Sequence, residues 1–488
     1  MRKGLLLFAF LLVLTACSSD QEPQQLPTSL DDLAGKRVAY LTGSIYDLRF
    51  DEILPNSIRV GLNGIPEIMM AVKQGQADYS ITDSVSYIGV DLAQHDCQFC
   101  FADDIISGDA GVCFRKDNTE LCGKFNEFLA GIKADGTFEY MKDRWLTQKI
   151  DTAQIPHYSV SSDARVLKIG IINSYPFEFI KDGEWQGFEI EMMVRFAHNM
   201  GMKPEFVCFE FNTMLPSIMT GRVDAGLCFI FITEERAKQI LFSDPYMSCG
   251  TLVVGPLSGA DRMQSKGFIS VVKDSFKNNL IVEDRWKLIV DGLYETLIIT
   301  IFSILLGTVL GCLICWMRLS RRRLLSGIAK VYVEILRDIP MLVFLMIMFY
   351  VVFSSSRITS TWVAIIAFAM NFGAYTSEMF RTGIQGVDPG QTEAGLALGF
   401  TRTGTFLNFV APQAIRTVIP VFKGEAISLL KNTSIVGYIA IQDLTRVSDM
   451  IRSRTFDAFF PLLVVTIIYF ILAWLIGLGL DALNRKEK

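Results

Sequence analysis

From Leu26 to Gly255 short β-rich runs alternate with helical patterns, for example RVAYLTG, then PEIMMAVKQG, then ADYSITD. That alternation predicts an α/β fold with mostly parallel sheets, since a helix that returns the chain lets successive strands run the same way. The pattern then changes. Leu293–Met317 is continuously apolar, over roughly the 20 residues that a bilayer core requires. Further apolar stretches at Pro340–Phe353, Thr361–Phe380, Ile415–Leu430 and Phe459–Leu480 bring the expected membrane spans to five. The second is short and follows the amphipathic VYVEILRD, and the fourth contains Lys423 and Glu425.

Loops rich in Lys and Arg near span ends favour the cytoplasm. RLSRRR at Arg318–Arg323 and LNRKEK at the carboxyl end are therefore expected there. Five spans then carry an exported amino-terminal domain to a cytoplasmic carboxyl terminus, and place Glu393–Arg416 in the cytoplasm. Arg446, Arg452 and Arg454 fall outside, interleaved with Asp443, Asp449 and Asp457.

Composition narrows the class. With 488 residues and 51% hydrophobic content the chain is too long for one domain and too apolar to be wholly soluble. Its net charge of −5 and the lack of a basic face interleaved with aromatics exclude a nucleic-acid binder. Seven cysteines beyond Cys17 lie outside the expected spans (Cys97, Cys100, Cys113, Cys122, Cys208, Cys228, Cys249), an odd number that cannot all pair within one chain. The Cys97–Cys100 CxxC has no second pair or histidine cluster near it, so these read as ordinary thiols. His95, His157 and His198 are scattered without ligand spacing. No metal, cofactor or catalytic residue is expected.

The opening MRKGLLLFAFLLVLTACSSD has the basic start and apolar run of an export signal. Its Leu14-Thr15-Ala16-Cys17 resembles a bacterial lipobox. The resemblance implies a signal peptide at 1–16, lipidation of Cys17, and a tether over 17–25.

Two pieces of the exported part resemble halves of the bacterial solute-binding proteins, family 3, which serve polar amino-acid importers. Residues 26–146, with DLAGKRVAYLTGSIYD, VKQGQADYSITD and FNEFLAGIKADGTFEYMKDRWL, resemble the second lobe and the terminal helices. Residues 163–256, with LKIGIINSYPFEFIKDGEWQGFEIEMM and ITEERAKQILFSDPYM, resemble the first lobe. The simplest account of this order is a circular permutation with 147–162 as linker; the rival is a tandem pair whose members have each lost half. The resemblance implies an α/β two-lobed periplasmic-binding-protein-like domain. It assigns the ligand carboxylate to Arg236 and the ammonium to Asp83, with Tyr175 and Phe177 as an aromatic wall. Thr42, Gly43 and Ser44, with Thr233, would form helix-opening loops at the site. A zwitterion needs such a cation and such an anion. One departure stands out: Cys228-Phe229-Ile230-Phe231 replaces the small polar residues usual before that arginine.

After a connector at 257–285, residues 286–488 resemble the permease subunit of amino-acid ATP-binding cassette importers, an all-α five-span membrane domain of the type I importer fold. The cytoplasmic loop 385–416 carries their coupling motif as Glu393-Ala394-Gly395, Gly399 and Pro412, with Gly395, Phe409 and Ala411 as mild departures. TEAGLAL has helical spacing with a possible cap at Thr392, Gly399 can end that helix at positive φ, and a second helix is expected to run to Pro412. Such a helix pair can dock in a groove of an ATPase, with Glu393 pairing a basic residue there. No GxxxxGK[ST] phosphate loop occurs, so the ATPase is expected on a separate chain. Glu425 and Lys431 are charges within an apolar segment and candidates for the translocation path.

The expected function is therefore the substrate-capturing and membrane-spanning subunit of an ATP-driven amino-acid importer in the bacterial inner membrane, working as a homodimer. The alternative is a ligand-gated channel with a glutamate-receptor-like binding domain, which predicts a re-entrant filter such as TVGYG; none occurs.

Overall fold

A computed structural model describes residues 26–88, 90–147, 154–159, 161, 163–227, 229–257, 268–354, 358–455, 457 and 459–485. The expected signal peptide, tether and Cys17, and Cys228, lie outside them.

Twelve strands build the amino-terminal part: β1 (Arg37–Leu41), β2 (Ile58–Leu62), β3 (Tyr79–Asp83), β4 (Cys97–Ala110), β5 (Cys113–Arg115), β6 (Val166–Ile171), β7 (Phe179–Lys181), β8 (Glu184–Gln186), β9 (Lys203–Cys208), β10 (Ala225–Gly226), β11 (Ile240–Phe242) and β12 (Met247–Pro256). One sheet runs β2-β1-β3-β12-β4 and another β11-β5-β10-β6-β9, with β7 and β8 forming a hairpin. The centres are parallel: β1 pairs with β2 and β3, and β6 with β9 and β10. The middle of β1, Val38-Ala39-Tyr40, is buried throughout, as expected of a strand covered on both faces.

The expected pieces 26–146 and 163–256 each contribute to both sheets. The chain leaves the first sheet after β4 and enters the second at β5, then returns to the first as β12. These crossing strands run side by side, with β12 antiparallel to β4 from Met247↔Ala110 to Pro256↔Cys97. Helix α1 (Ile65–Lys73) opens on Pro66 and buries Ile68, Met69, Ala71 and Val72 in the first lobe of the chain. Helix α2 (Thr119–Ala134) packs instead on α3 (Phe188–Asn199) of the second, where Phe125 meets Phe196 edge-on at 5.1 Å. Helix α4 (Phe211–Met219) completes that lobe.

The carboxyl-terminal part is helical: α5 (Trp286–Leu319), α6 (Arg323–Asp338), α7 (Met341–Ile347), α8 (Ser360–Gln385), α9 (Pro389–Ala397), α10 (Arg402–Thr405), α11 (Ala411–Asn432), α12 (Leu444–Thr455) and α13 (Phe460–Arg485). Among the described residues three helices are long and apolar enough to cross a membrane, namely α5, α8 and α13. A fourth candidate is α6 with α7 and the turn that extends it to Val352, a pair bent by 109°. The expected span at 415–430 falls in α11, which is long enough but holds Arg416, Lys423, Glu425 and Lys431. Helices α5 and α8 approach closely at Gly307, where an added Cβ would sit 2.8 Å from the Ala369 carbonyl. Small residues permit that contact where lipid gives no hydrophobic drive for helices to associate.

Candidate functional site: cleft, junction and helical turn

The interlobe pocket is lined by four of the eight expected ligand residues, Asp83, Arg236, Phe177 and Ser44. Asp83 ends β3 and accepts from the Ser86 amide at 2.9 Å and the Ser86 hydroxyl at 2.8 Å. Burial pushes its carboxyl above the usual range, against those hydrogen bonds. Arg236 lies in the short helix Glu234–Gln239, whose cap Thr233 accepts from the Arg236 amide. Arg236 is 8% exposed, and its guanidinium donates to the carbonyls of Phe231 at 3.1 Å and of Gly43 at 3.2 Å. It thereby crosses from one lobe to the other. The loop after β1 is shaped for this: Gly43 has φ +79°, its amide donates to Asp47 at 2.8 Å, and Ser44 caps the next turn. Glycine takes that left-handed conformation without strain.

Phe177 lines the pocket, with the Phe229 ring edge-on at 4.2 Å. Phe229 itself has φ +47°, a conformation costly for an aromatic residue. Phe231 lies over Gly108, where any side chain would overlap its ring. The pocket keeps about 60 Å³. Tyr175 is not among its lining residues; its ring carries the Arg454 guanidinium at 4.0 Å, outside the pocket.

Two carboxylates in this pocket escaped the sequence reading. Glu178 and Glu189 are fully buried, with Glu178 accepting from the Ile172 amide at 3.1 Å and Glu189 from the Tyr246 hydroxyl. Burial, then the Glu189 charge, hold Glu178 well above the ordinary glutamate range. Both sit inside apolar runs, PFEF and GFEIEMM, with no charge pattern to mark them.

A junction with the helical part closes the mouth of the cleft. Arg446 of α12 pairs with Glu210 beside α4 and donates to the Phe209 carbonyl at 2.8 Å. Arg452 pairs with Glu67 of α1 at 2.6 Å and with Asp449 at 2.8 Å. The Asn173 amide donates to the Met450 carbonyl at 3.1 Å. One helix therefore holds both lobes. Arg222 adds a stacked contact on Phe349 at 3.9 Å. Between cleft and helix lies a chamber of about 530 Å³.

At the far end, α9 begins earlier than expected: its cap is Asp388, which accepts from the Gly390 amide at 2.7 Å, and Thr392 lies inside the helix. Proline at the first turn and aspartate before it make the stronger start. Gly399 has φ +89° and turns the chain. Thr401 caps α10 from the Gly404 amide at 3.1 Å. Gly395 is buried against Thr405, at 2.5 Å for an added Cβ, while Glu393 and Ala394 face outward. Leu396, Leu398 and Leu407 are also exposed. Pro412 does not end a helix. The chain stays helical from α10 through Asn432, with a wide π turn at Phe406–Val410 immediately before the proline, the kind of local adjustment that lets a helix continue past a proline.

Glu425 and Lys431 are not brought together. Lys431 lines an open groove between α11 and α13 near Lys423, which pairs with Asp481 at 2.7 Å; Glu425 is outside it. The eight described cysteines are free thiols.

Comparison with known proteins matches the family model for bacterial extracellular solute-binding proteins, family 3, over residues 167–364. A second, for the binding-protein-dependent transport system inner membrane component, matches 297–488. The L-cystine transport system permease protein TcyB of Bacillus subtilis (strain 168) is 34% identical over 211 residues, 43% of this chain and 90% of that protein. The probable glutamine ABC transporter permease protein GlnM of the same organism is 30% identical, over 43% of this chain and 97% of its own. The arginine transport system permease protein ArtQ, also from it, is 31% identical over 41% and 92%. A solved amino acid ABC transporter with histidines is 32% identical, covers 46% of this chain and 100% of its own, and has a TM-score of 0.40. The chain belongs to the binding-protein-dependent transport system inner membrane component family and carries a family 3 solute-binding domain in the same polypeptide.

Proposed function

We propose that the chain captures an amino acid outside the cell and passes it through its own membrane part, driven by an ATPase on a separate chain. The observation that carries this is the junction: α12 holds both lobes of a binding domain against a permease. Relatives of that permease are named for cystine, glutamine and arginine transport. Asp83 takes the ammonium, Arg236 the carboxylate, and Phe177 covers the side chain. Thr42, Gly43, Ser44 and Thr233 shape the walls. The remaining 60 Å³ is well below the roughly 300–1,000 Å³ of an ordinary ligand pocket, so capture calls for the lobes to part at β4 and β12 by hinge motion.

The two-lobed domain is a circular permutant, a reading supported by the mixing of strands from 26–146 and 163–256 in each sheet. The helical part crosses the membrane five times, with α11 as the polar fourth crossing and the cleft outside. Two copies form the path. The exposed face of α9 and its turn, with Glu393, Ala394 and Leu398 around Gly395 and Gly399, docks the ATPase. Cys17 anchors the start through lipid. The rival channel reading draws no support from the permease relatives.

Uptake of radiolabelled L-cystine, L-glutamine and L-arginine by cells that make the chain with its ATPase tests this. Uptake that needs both chains and ATP is expected; a folded protein that transports no amino acid would sink the reading.

A further inference from the structure

The chamber at the junction is far larger than the pocket it adjoins, about 530 against 60 Å³. The two adjoin, sharing Leu41, Ile65, Ser86, Ile172, Ser174 and Phe211 as walls. Phe229 and Phe231 line the inner pocket and not the chamber. On its other side the chamber is floored by Ser434, Gly437 and Tyr438, in the turn that continues α11.

Its lining is suited to a small zwitterion. Glu67, Glu210 and Asp449 face Arg446 and Arg452 there, and every one of these charges is already in an ion pair. A solute bearing both an ammonium and a carboxylate can insert between such partners without leaving a net charge unpaired, since it brings one of each. Asn63 and Asn212, exposed on opposite lobes, add amide donors and acceptors. A volume of this order suits a small-molecule site. Its walls come from both lobes and from the permease, so it exists only in the joined chain.

We propose that this chamber is a second solute site, a station between the cleft and the membrane path that binds a zwitterion of amino-acid size. It rests on the importer reading. The cleft, tight around its aromatic plug here, releases its solute into a space already lined to receive it.

The test is binding stoichiometry of the full chain in lipid nanodiscs, by equilibrium dialysis with radiolabelled L-glutamine, L-arginine or L-cystine. The cleft variant combines Asp83→Asn with Arg236→Gln; the chamber variant combines Asn63→Trp with Asn212→Trp and fills the space. Two solutes per wild-type chain, one in either variant and none in their combination are expected. One solute per wild-type chain, lost entirely in the cleft variant, would overturn the second site and keep the capture reading. A wild-type chain that binds none of the three probes would overturn both.

Discussion

Arg236, on one lobe, donates to the carbonyl of Gly43, on the other, at 3.2 Å. The residue expected to hold a ligand carboxylate thus also ties one lobe to the other. A carboxylate is a stronger acceptor than a carbonyl for the same guanidinium, so a bound solute trades a weak cross-lobe bond for a strong one.

Arg236→Lys keeps the charge and loses the planar fork. At about 1.5–3 kcal/mol for a hydrogen bond to a charged group, affinity for the transported amino acid falls roughly tenfold to a hundredfold. Calorimetric titration of the full chain checks it, and unchanged affinity would remove Arg236 from the site.

Burial, and after it the Glu189 charge, raise the pKa of the Glu178 carboxyl well above its ordinary value. An acid whose folded pKa is raised binds more protons in the native than in the unfolded state, so its contribution to stability is lost as pH rises above the ordinary value of 4.5. Glu178→Gln removes that loss. The binding domain of the variant, followed by near-ultraviolet circular dichroism of the full chain, is expected to melt higher than wild type in alkali and to show a flatter dependence of Tm on pH.

Arg452 and Glu67 meet across the two parts of the chain at 2.6 Å. Arg452→Glu sets a third acid against Glu67 and Asp449, and transport is expected to fall at least tenfold while solute affinity at the cleft stays. Adding Glu67→Arg restores part of it. A failure of the swap to restore any transport would show that the pair does not set the docking.

Gly399 turns the chain between α9 and α10 at φ +89°. Gly399→Val places a β-branched residue there, at a cost of about 1–3 kcal/mol, and shifts the exposed face of α9. Co-purification of the ATPase is expected to drop, with solute binding intact; undiminished co-purification and uptake would refute the docking role.

Much of this architecture is legible before any coordinates. The runs RVAYL and VLKIGI become the parallel centres β1 and β6, because buried strands and their covering helices leave regular patterns. The long apolar helices α5, α8 and α13 follow from apolar runs of bilayer length. Local pattern fails where distant residues decide. Tyr175 reads as a wall of the inner pocket but lines the adjoining chamber instead, with the Arg454 guanidinium over its ring. Arg446 and Arg452, interleaved with aspartates, carry no local sign of a partner; Glu210 and Glu67, which they pair with, lie 236 and 385 positions away. Thr392 is a plausible cap that loses to Asp388 with Pro389. The Phe229 and Phe231 departure was visible, while its effect on the pocket required the ring positions.

Because α12 grips the binding domain of its own chain, capture and passage do not wait on encounter between freely diffusing molecules. A short covalent link sets a local concentration of order millimolar, whatever the abundance of receptor in the surrounding compartment. Tight docking, which a free receptor needs in order to find its permease, is then dispensable. The grip can be weak enough to let go with every cycle, and the rate at which empty receptors are cleared ceases to limit the flux.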